Sequence, residues 1–337
     1  MASPPGCGDG APLTAEETSA DAIALESRSV VFTGNARADL RRLELKRPER
    51  GDIIIDVRWS GVSTGTEKLL WSGDMPPFPG MGYPLVPGYE AVGKVVWADD
   101  HPDLVGRWVF APGAHCYEEA YGIFGASSSR IIIAADRVTP IEFEDPQNGV
   151  LLALAATAYH AIAGGRPPQL IVGHGVLGRL LARLTIALGA PPPVVWEIDP
   201  ERADGEGYAV IDPACDGRTD YRVIFDVSGD AGLLDTLVAH AARRGEIVLA
   251  GFYAERLSFD FAPAFIKEAR LRIAAEWKPE DLASVLKLID GDCLSLADLI
   301  THTCEAENAT DAYRTAFTDS SCLKMILDWR STHDRSV

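Results

Sequence analysis

Six consecutive residues in the second half of the chain have the glycine spacing that accommodates the pyrophosphate of a dinucleotide. They are Gly173, His174, Gly175, Val176, Leu177 and Gly178. The apolar run LIV before them predicts a buried strand, and GRLLARLTIALG, which begins within them, has helical spacing. In such a strand, turn and helix, the glycines permit a tight turn, a close approach of the pyrophosphate and close helix packing. The six residues therefore predict a dinucleotide site.

An acidic residue after the next predicted strand bears on which dinucleotide binds. Glu197 follows the run VVW and lies 19 residues beyond Gly178, the usual distance for the carboxylate that accepts the ribose hydroxyls. Because a carboxylate would repel a 2′-phosphate, Glu197 predicts NAD rather than NADP. Asp199 could share this role, and Arg202 is close enough to complicate it. A solvated acid at a strand end is the alternative interpretation.

The remainder of the second half repeats the same pattern of elements. Ala- and Leu-rich stretches alternate with the short apolar runs LIVGHG, VVWEID, VIFDVSG and EIVLAGF. This alternation is typical of a parallel sheet with crossover helices, so we expect an α/β fold with a doubly wound Rossmann sheet. Ser228 and Gly251 end two of the runs and should line the cofactor crevice.

The first half of the chain has a different residue pattern, which predicts a mostly antiparallel β domain. Short runs such as SVVFTG and DIIIDVRWSGV are bounded by Gly, Pro or charged residues. We divide the chain into a mobile tail (1–22), a β catalytic domain (23–145), a Rossmann domain (146–277) and a C-terminal return to the first domain (278–337).

Composition excludes several classes of function. The net charge of −18 would repel nucleic acid, and 47% apolar residues are ordinary for a globular protein. No uncharged apolar stretch is long enough to span a bilayer and the first residues lack a signal-peptide pattern, so we expect a cytosolic protein. The six scattered cysteines predict reduced thiols rather than a zinc or disulfide framework.

Three motifs in this order resemble the medium-chain dehydrogenase/reductase family. They are SGVSTGTE (60–67), VPGYEAVG (86–93) and GHGVLG (173–178). The resemblance covers residues 27 to 331 and implies a GroES-like catalytic domain, a Rossmann domain and a homodimer. TGTEKLLWSGDMPPFPGMGYPLVPGYE, LLALAATAYHA and LIVGHGVLGRLLARL are similar to a narrower group within the family. That similarity implies NAD-dependent oxidation of the 3-(1-hydroxyethyl) side chain of a bacteriochlorophyllide, a magnesium chlorin pigment, to 3-acetyl.

The chain departs from the zinc enzymes of this family at the positions of the metal ligands. The resemblance places Ser63 or Thr64, Tyr89 and Ala153 where those enzymes have their ligands, and none of the three is a good zinc ligand. We therefore predict no metal. The family's zinc-independent quinone or enone reductases use NADPH, which Glu197 disfavours, and they remain an alternative, as does a pigment carrier without catalysis.

Without zinc, a side chain or a water relay must take the hydroxyl proton as the hydride leaves. The matched motifs place the candidates Tyr89, Glu90, Thr66, Glu67 and His160 at the cleft between the domains, with Tyr89 first. Each has a structural alternative: Tyr89 could be a pocket wall, Glu90 an internal ion-pair partner, His160 a satisfied helix residue, and Thr66 or Glu67 could cap a helix.

A proline-rich segment could recognise a flat macrocycle. Five prolines between residues 71 and 88 predict a stiff structured loop. The side chains that could cover the face of the pigment are Trp71, Met75, Phe78, Met81 and Tyr83. A loop that closes over its own core is the alternative.

Overall fold

The computed structural model describes residues 24–34, 36–77 and 79–334. The predicted tail (1–22) and Phe78 lie outside these ranges. Among the described residues, no helix is both long enough and apolar enough to pass through a membrane.

Seven of the described strands form a largely antiparallel sheet that organises the first half of the chain. They are β3 (Asp52–Val62), β4 (Ala91–Ala98), β5 (Trp108–Ala111), β6 (Arg130–Ala134), β7 (Thr139–Pro140), β14 (His302–Glu305) and β15 (Met325–Asp328). Their order is β14-β15-β3-β4-β5-β7, and β6 pairs with the first half of β3. Strand β3 is central, and its residues Ile53, Ile54 and Ile55 are completely buried.

A separate antiparallel pair, β1 (Glu26–Phe32) and β2 (Ala38–Glu44), packs on the same apolar core. Helix α1 (Thr66–Ser72) follows β3 and ends at Gly73, whose φ of 87° gives a left-handed cap. The predicted loop from residue 71 therefore begins within the last turn of α1. From Gly73 to residue 88 the described chain has no strand beyond isolated bridges at Leu85.

Six of the described strands form a parallel sheet in the order β10-β9-β8-β11-β12-β13. They are β8 (Leu170–Val172), β9 (Val194–Trp196), β10 (Ala209–Ile211), β11 (Tyr221–Asp226), β12 (Ala241–Leu249) and β13 (Arg270–Ile273). This order reverses beside β8 and confirms the predicted doubly wound sheet. The two edge strands escaped the sequence analysis because each is short and neither is a buried apolar run.

Helices cover both faces of the parallel sheet. They are α2 (Leu152–Ala163), α3 (Val176–Ala187), α4 (Leu234–His240), α5 (Phe261–Lys267) and α6 (Pro279–Asp290). Helix α2 contacts both α3 and α6, while α4 and α5 contact each other and β12. The Ala- and Leu-rich segment AGLLDTLVAHAARRG has helical spacing over its whole length but is helical only in α4. Its last residues begin β12, because Ala241 pairs with Tyr221 of β11.

The chain returns to the first sheet later than the predicted boundary at residue 278. Helix α6 packs on α2 of the nucleotide-binding half, so the return begins with β14. Helix α7 (Ala309–Thr318) then packs on β2 and β15, and α8 (Arg330–Asp334) contacts β3. The remaining described helices are short 3₁₀ turns at Pro102–Leu104, Ala135–Arg137, Pro146–Leu151, Pro200–Arg202, Pro213–Cys215 and Ala306–Asn308.

Candidate active site and dinucleotide crevice

Three glycines shape the loop between β8 and α3. Gly173 has a φ of 100°, and a Cβ there would lie 3.1 Å from the backbone nitrogen of Ser228. A Cβ on Gly178 would overlap the carbonyl oxygen of Gly173. At Gly175, which precedes the first turn of α3, no atom lies within 4 Å of the Cβ position. The loop is thus closed where helix and strand meet and open where a pyrophosphate would approach.

The carboxylate of Glu197 lies against this loop at the end of β9. Its Oε2 accepts a hydrogen bond of 3.1 Å from the backbone nitrogen of His174. Its Oε1 accepts hydrogen bonds from the backbone nitrogens of Ile198 and Asp199 at 2.8 and 3.0 Å. Backbone N–H groups therefore hold the negative charge beside the crevice.

Two neighbours of Glu197 make contacts away from the crevice. The imidazole of His174 is buried, with Nδ1 2.6 Å from the carbonyl oxygen of Arg202 and Nε2 2.8 Å from the hydroxyl of Tyr208. The guanidinium of Arg202 donates to the carbonyl oxygen of Ser320 at 2.6 and 2.8 Å. Only the backbone of His174 therefore faces Glu197, and Arg202 is held by a carbonyl group.

The other predicted crevice residues have packing roles. Val176 is buried and Leu177 packs against the same core in the first turn of α3. The hydroxyl of Ser228 donates to Asp226 Oδ1 at 2.7 Å, which fixes the loop after β11. A Cβ on Gly251 would lie 3.2 Å from the backbone of Val227, so Gly251 permits two strand ends to approach each other.

Tyr89 lies at the junction of the two halves of the molecule. Its hydroxyl donates a hydrogen bond of 2.6 Å to Ser63 Oγ, and its side chain also hydrogen-bonds to Thr66. The ring packs edge-on against Phe124 and on the core that contains Val176. Burial and the nearby carboxylate of Glu90 raise the pKa of Tyr89 well above its usual value. The phenol is therefore a neutral hydrogen-bonding group at neutral pH.

Glu67 is a completely buried carboxyl behind this pair. Its Oε1 accepts from the backbone nitrogen of Ser63 at 3.1 Å, and its Oε2 accepts from the hydroxyl of Tyr313 at 2.8 Å. Burial, with a contribution from Glu90, raises its pKa to about 8. The side chain of Glu67 does not cap α1. The helix is preceded by Gly65, and no side-chain hydrogen bond caps its first turn. Glu67 holds the backbone that carries the Ser63 hydroxyl.

Glu90 forms a buried ion pair with Lys324 of the strand region near the C-terminus. The Nζ of Lys324 also donates to the carbonyl oxygen of Val62 at 3.0 Å. The other oxygen of Glu90, Oε1, has no hydrogen-bond partner among the described residues. A Cβ on Gly61 would overlap Oε2 of Glu90, so glycine is required where the ion pair passes the backbone. Burial raises the pKa of Glu90, and Lys324 opposes that rise.

Ser63, Tyr313 and Lys324 belong to this site, although the sequence analysis gave none of them a catalytic role. Tyr313 is 246 residues from Glu67 in the chain, and Lys324 is 234 residues from Glu90. One signal was present: Lys324 is a single charge within the apolar run CLKMIL. A lysine buried in such a run requires a carboxylate partner.

His160 is placed elsewhere. Its Nδ1 lies 2.8 Å from Asp281 Oδ2, which joins α2 to α6. Asp281 also accepts from the backbone nitrogen of Lys278 at the start of α6. The structure therefore does not bring His160 to Tyr89 and the buried carboxyls, and its ring has the satisfied helix contact considered as the alternative.

Among the predicted pigment-binding residues within the described ranges, Met75 is 5% exposed and lies in the core, which corrects its assignment to a substrate-covering surface. Trp71, Met81 and Tyr83 are partly buried and pack on that core. Trp71 lies against Phe317, with ring centroids 5.4 Å apart. The segment thus largely closes over its own core, with three side chains partly accessible.

Two of the positions that the resemblance matched to zinc ligands, Ser63 and Tyr89, are in contact, but all three carry unsuitable donors. Ser63 and Tyr89 share a hydrogen bond, and Tyr89 packs on the core that contains Ala153. A hydroxyl, a neutral phenol and a methyl group do not form a zinc site. Among the described residues, no group of three or more His, Cys, Asp and Glu side chains could hold a metal ion.

Comparison with curated proteins identifies relatives over nearly the whole chain, although no family model matches. The chain is 55% identical over 317 residues to 2-desacetyl-2-hydroxyethyl bacteriochlorophyllide A dehydrogenase of Cereibacter sphaeroides, covering 91% of this chain and 100% of the relative. It is 53% identical over 311 residues to the protein of the same name from Rhodobacter capsulatus, covering 91% of this chain and 99% of the relative.

Solved structures agree with the fold. Acetophenone reductase from Geotrichum candidum in complex with NAD superposes with a TM-score of 0.77 at 17% identity, covering 91% of this chain and 98% of the other. A dehydrogenase from Sinorhizobium meliloti bound to NADP gives a TM-score of 0.76 at 15% identity, covering 90% and 99%. The same architecture therefore accepts either form of the cofactor.

Proposed function

The chain belongs to the 2-desacetyl-2-hydroxyethyl bacteriochlorophyllide A dehydrogenases of the medium-chain dehydrogenase/reductase family, and on this premise we propose that it oxidises the hydroxyethyl side chain of a bacteriochlorophyllide. In this reaction the carbinol carbon would give up a hydride, for which a bound nicotinamide would be the acceptor, and the hydroxyl would lose a proton, which leaves an acetyl group. The observation that carries the proposal is the 55% identity over 91% of the chain.

The cofactor of this reaction is a nicotinamide dinucleotide, and its NAD form is our proposal. The open side of Gly175 and the first turn of α3 would hold the pyrophosphate, and Glu197 would accept the ribose hydroxyls. The carboxylate is fixed by three backbone N–H groups and Arg202 is engaged with Ser320, which favours NAD over NADP. When bound, the nicotinamide supplies the hydride acceptor.

The proton leaves through hydroxyl groups in this proposal. The phenol oxygen of Tyr89 accepts the hydrogen bond of the substrate hydroxyl while its own hydrogen bonds to Ser63 Oγ. Because its pKa is raised, Tyr89 does not act as a phenolate base: it would take the substrate proton as it passes its own to Ser63 Oγ, and solvent water would be the final acceptor. Thr66 offers a second hydroxyl to the same phenol. Glu67 and Glu90 lie behind the Tyr89–Ser63 pair and position it. The pKa of Glu67 is about 8, so this buried carboxyl keeps its proton at neutral pH.

In this proposal the pigment packs against the last turn of α1 and the segment that follows it. Trp71, Met81 and Tyr83 are the partly accessible large side chains there, and the planar rings of Trp71 and Tyr83 are suited to packing on a macrocycle. The hydroxyl of Tyr83 donates to the carbonyl oxygen of Leu70, which keeps that ring in a fixed orientation.

We propose that a second copy of the chain binds at the β13 edge of the parallel sheet. Five large apolar side chains of α5 and β13 are exposed: Phe261, Phe265, Ile266, Leu271 and Ile273. Ile273 is 77% exposed on an edge strand, where pairing with another strand would bury it. An Ile273→Asp variant should shift the wild-type dimer toward a monomer in light scattering, and a monomeric wild type would reject this part of the proposal.

An absorbance assay tests the reaction itself. The purified full chain is mixed with the hydroxyethyl bacteriochlorophyllide and either NAD or NADP, with and without a chelator. We expect turnover with NAD, a shift of the long-wavelength pigment band, and no effect of the chelator. A carrier would bind pigment without NAD dependence or spectral conversion, and an enone reductase would leave the pigment unchanged but oxidise NADPH when supplied with a quinone or an enone. Either result would overturn the proposal. The cytosolic location is tested separately by cell fractionation.

A further inference from the structure

A cluster of arginines lines a cavity on the nucleotide-binding half of the molecule. The cavity has a volume of about 440 Å³. We call it the arginine cavity, because its lining includes Arg166, Arg222, Arg243, Arg244 and Arg270. All five are exposed to solvent. This concentration of positive charge stands out in a chain whose net charge is −18.

The arginine cavity lies at the opposite edge of the sheet from the dinucleotide crevice. Arg222 is the second residue of β11, Arg243 and Arg244 lie near the start of β12, and Arg270 is the first residue of β13. The three strands are parallel, so their amino ends meet at one edge. Gly173 and Glu197 follow the carboxyl ends of their strands, where nucleotides bind. The arginines are therefore not part of the cofactor site.

The positive charge in the arginine cavity is only partly neutralised. Glu268 pairs with Arg243 at 2.6 Å and with Arg244 at 2.8 Å. Within the described part of the chain, Arg166, Arg222 and Arg270 have no carboxylate at ion-pair distance. Guanidinium groups that converge on one concave space repel one another, and a multiply charged anion would relieve that repulsion.

The backbone that presents Arg243 and Arg244 is irregular. The pairing of β11 with β12 shifts between Tyr221 and Val223, so extra residues of β12 bulge out at this point. Arg244 has a φ of 60°, a left-handed conformation that a non-glycine residue rarely adopts. The bulge directs two adjacent side chains to the same cavity, and such local strain is characteristic of ligand sites.

We propose that the arginine cavity binds a phosphate-bearing anion with two or more negative charges. The planar guanidinium matches the oxygens of phosphate with paired hydrogen bonds, which gives Arg the advantage over Lys at such sites. The same chemistry could be offered by a free phosphorylated compound or by the head group of an anionic phospholipid. The site is separate from the redox reaction and does not rest on the function proposed above.

Calorimetric titration of the full chain with inorganic pyrophosphate, in the presence of saturating NAD, tests this site. NAD occupies the dinucleotide crevice and thereby removes that crevice as a second place for pyrophosphate. We expect saturable binding that weakens at high salt. Replacing two unpaired arginines, Arg222→Gln with Arg270→Gln, should weaken binding at least about tenfold. The matched control Arg37→Gln with Arg50→Gln removes two exposed arginines of the first half and should change binding less than about twofold.

Vesicles distinguish the two sources of phosphate. If pyrophosphate does not bind, co-sedimentation with phosphatidylglycerol vesicles but not phosphatidylcholine vesicles, lost in the Arg222→Gln, Arg270→Gln variant, would support the lipid source. Pyrophosphate binding that this variant weakens would support the free compound. The proposal is overturned if neither probe binds or if the variant and its control bind equally.

Discussion

The dinucleotide crevice and the cluster around Tyr89 are two sites constructed in different ways. The crevice is shaped by the backbone of one loop, Gly173 to Gly178, with one carboxylate from the next strand. The cluster joins Ser63, Glu67, Tyr89 and Glu90 to side chains that come from more than 200 residues later in the chain. A site made from local backbone is specified by spacing alone, whereas a site made from side chains needs the complete tertiary fold.

The two sites also differ in how they are hydrated. The carboxylate of the crevice, Glu197, is partly exposed and accepts three backbone hydrogen bonds. The carboxyls of the cluster, Glu67 and Glu90, are 0% exposed, and one oxygen of Glu90 has no hydrogen-bond partner among the described residues. Changes in the cluster should therefore affect stability first, and changes in the crevice should affect ligand binding first.

The largest expected effect is that of Lys324→Met. It removes the cation from a buried pair and leaves Glu90 without its partner next to a second buried carboxyl. We expect a loss of about 3 to 5 kcal/mol in the free energy of unfolding. Urea unfolding followed by fluorescence measures it.

The control is the double variant Glu90→Gln with Lys324→Met, which removes both charges. It should recover part of the lost stability, because the buried uncompensated charge is gone. If Lys324→Met alone unfolds at the wild-type urea concentration, the buried ion pair does not stabilise the fold, and the expected difference in stability between the two sites is wrong.

The same contrast explains what could be predicted from the sequence. The parallel sheet and the glycine loop were predicted because buried strands and GxGxxG spacing are local patterns. Tyr89, Glu67 and Glu90 were selected from motifs, but their contacts with Tyr313 and Lys324 depend on how β15 and α7 return to β3. His160 was selected on the same motif argument, and its pairing with Asp281 depends on the packing of α6. Sequence spacing alone could not predict either arrangement.

Tyr89→Phe should give the next largest effect, and within the cluster it is the change expected to act on turnover more than on stability. The ring and its contact with Phe124 remain, while the hydroxyl that bonds to Ser63 is lost. We expect kcat to fall about 100-fold, which is ~2.7 kcal/mol of transition-state stabilisation, with little change in NAD affinity. Steady-state kinetics and a NAD titration separate the two quantities.

Tyr121→Phe is the matched control. It removes the hydroxyl of a tyrosine that is 50% exposed and is not the hydrogen-bond partner of Ser63. Its kcat should stay near that of the wild type. Unchanged kcat in Tyr89→Phe would make Tyr89 a wall of the pocket, and the contrast between the two sites would then concern stability only.

Glu67→Gln should change how stability depends on pH. The pKa of this carboxyl is about 8 in the folded chain against an ordinary value of 4.5, so the folded state keeps a proton that the unfolded state releases. Stability therefore falls as the pH rises from about 4.5 through 8. Between pH 6 and pH 7.5 the wild type should lose about 2 kcal/mol more than the Gln variant, which cannot ionise.

Urea unfolding at the two pH values gives this difference directly. The Gln amide can still accept from Ser63 and contact Tyr313, so the variant should fold. Glu197→Gln serves as the control because that carboxylate is partly exposed, and its unfolding should keep the wild-type pH dependence. Parallel pH profiles of wild type and Glu67→Gln would contradict the placement of a protonated carboxyl in the cluster.

Glu197→Ala should have the smallest effect and should act on cofactor binding. Loss of the acceptor for the ribose hydroxyls should weaken NAD about tenfold, ~1.4 kcal/mol, with little change in stability because the side chain is partly exposed. Affinity for NADP should rise relative to NAD, since the charge that repels a 2′-phosphate is removed. Fluorescence titrations with both cofactors measure the two affinities.

Glu197→Gln separates the two roles of the carboxylate. The amide keeps an acceptor beside the backbone of His174 but has no charge, so it should retain most of the NAD affinity and lose part of the discrimination against NADP. If Ala and Gln variants bind both cofactors as the wild type does, Glu197 only caps the loop through its backbone contacts. Cofactor choice would then depend on side chains outside the glycine loop, and the crevice would be no more predictable from local sequence than the cluster around Tyr89.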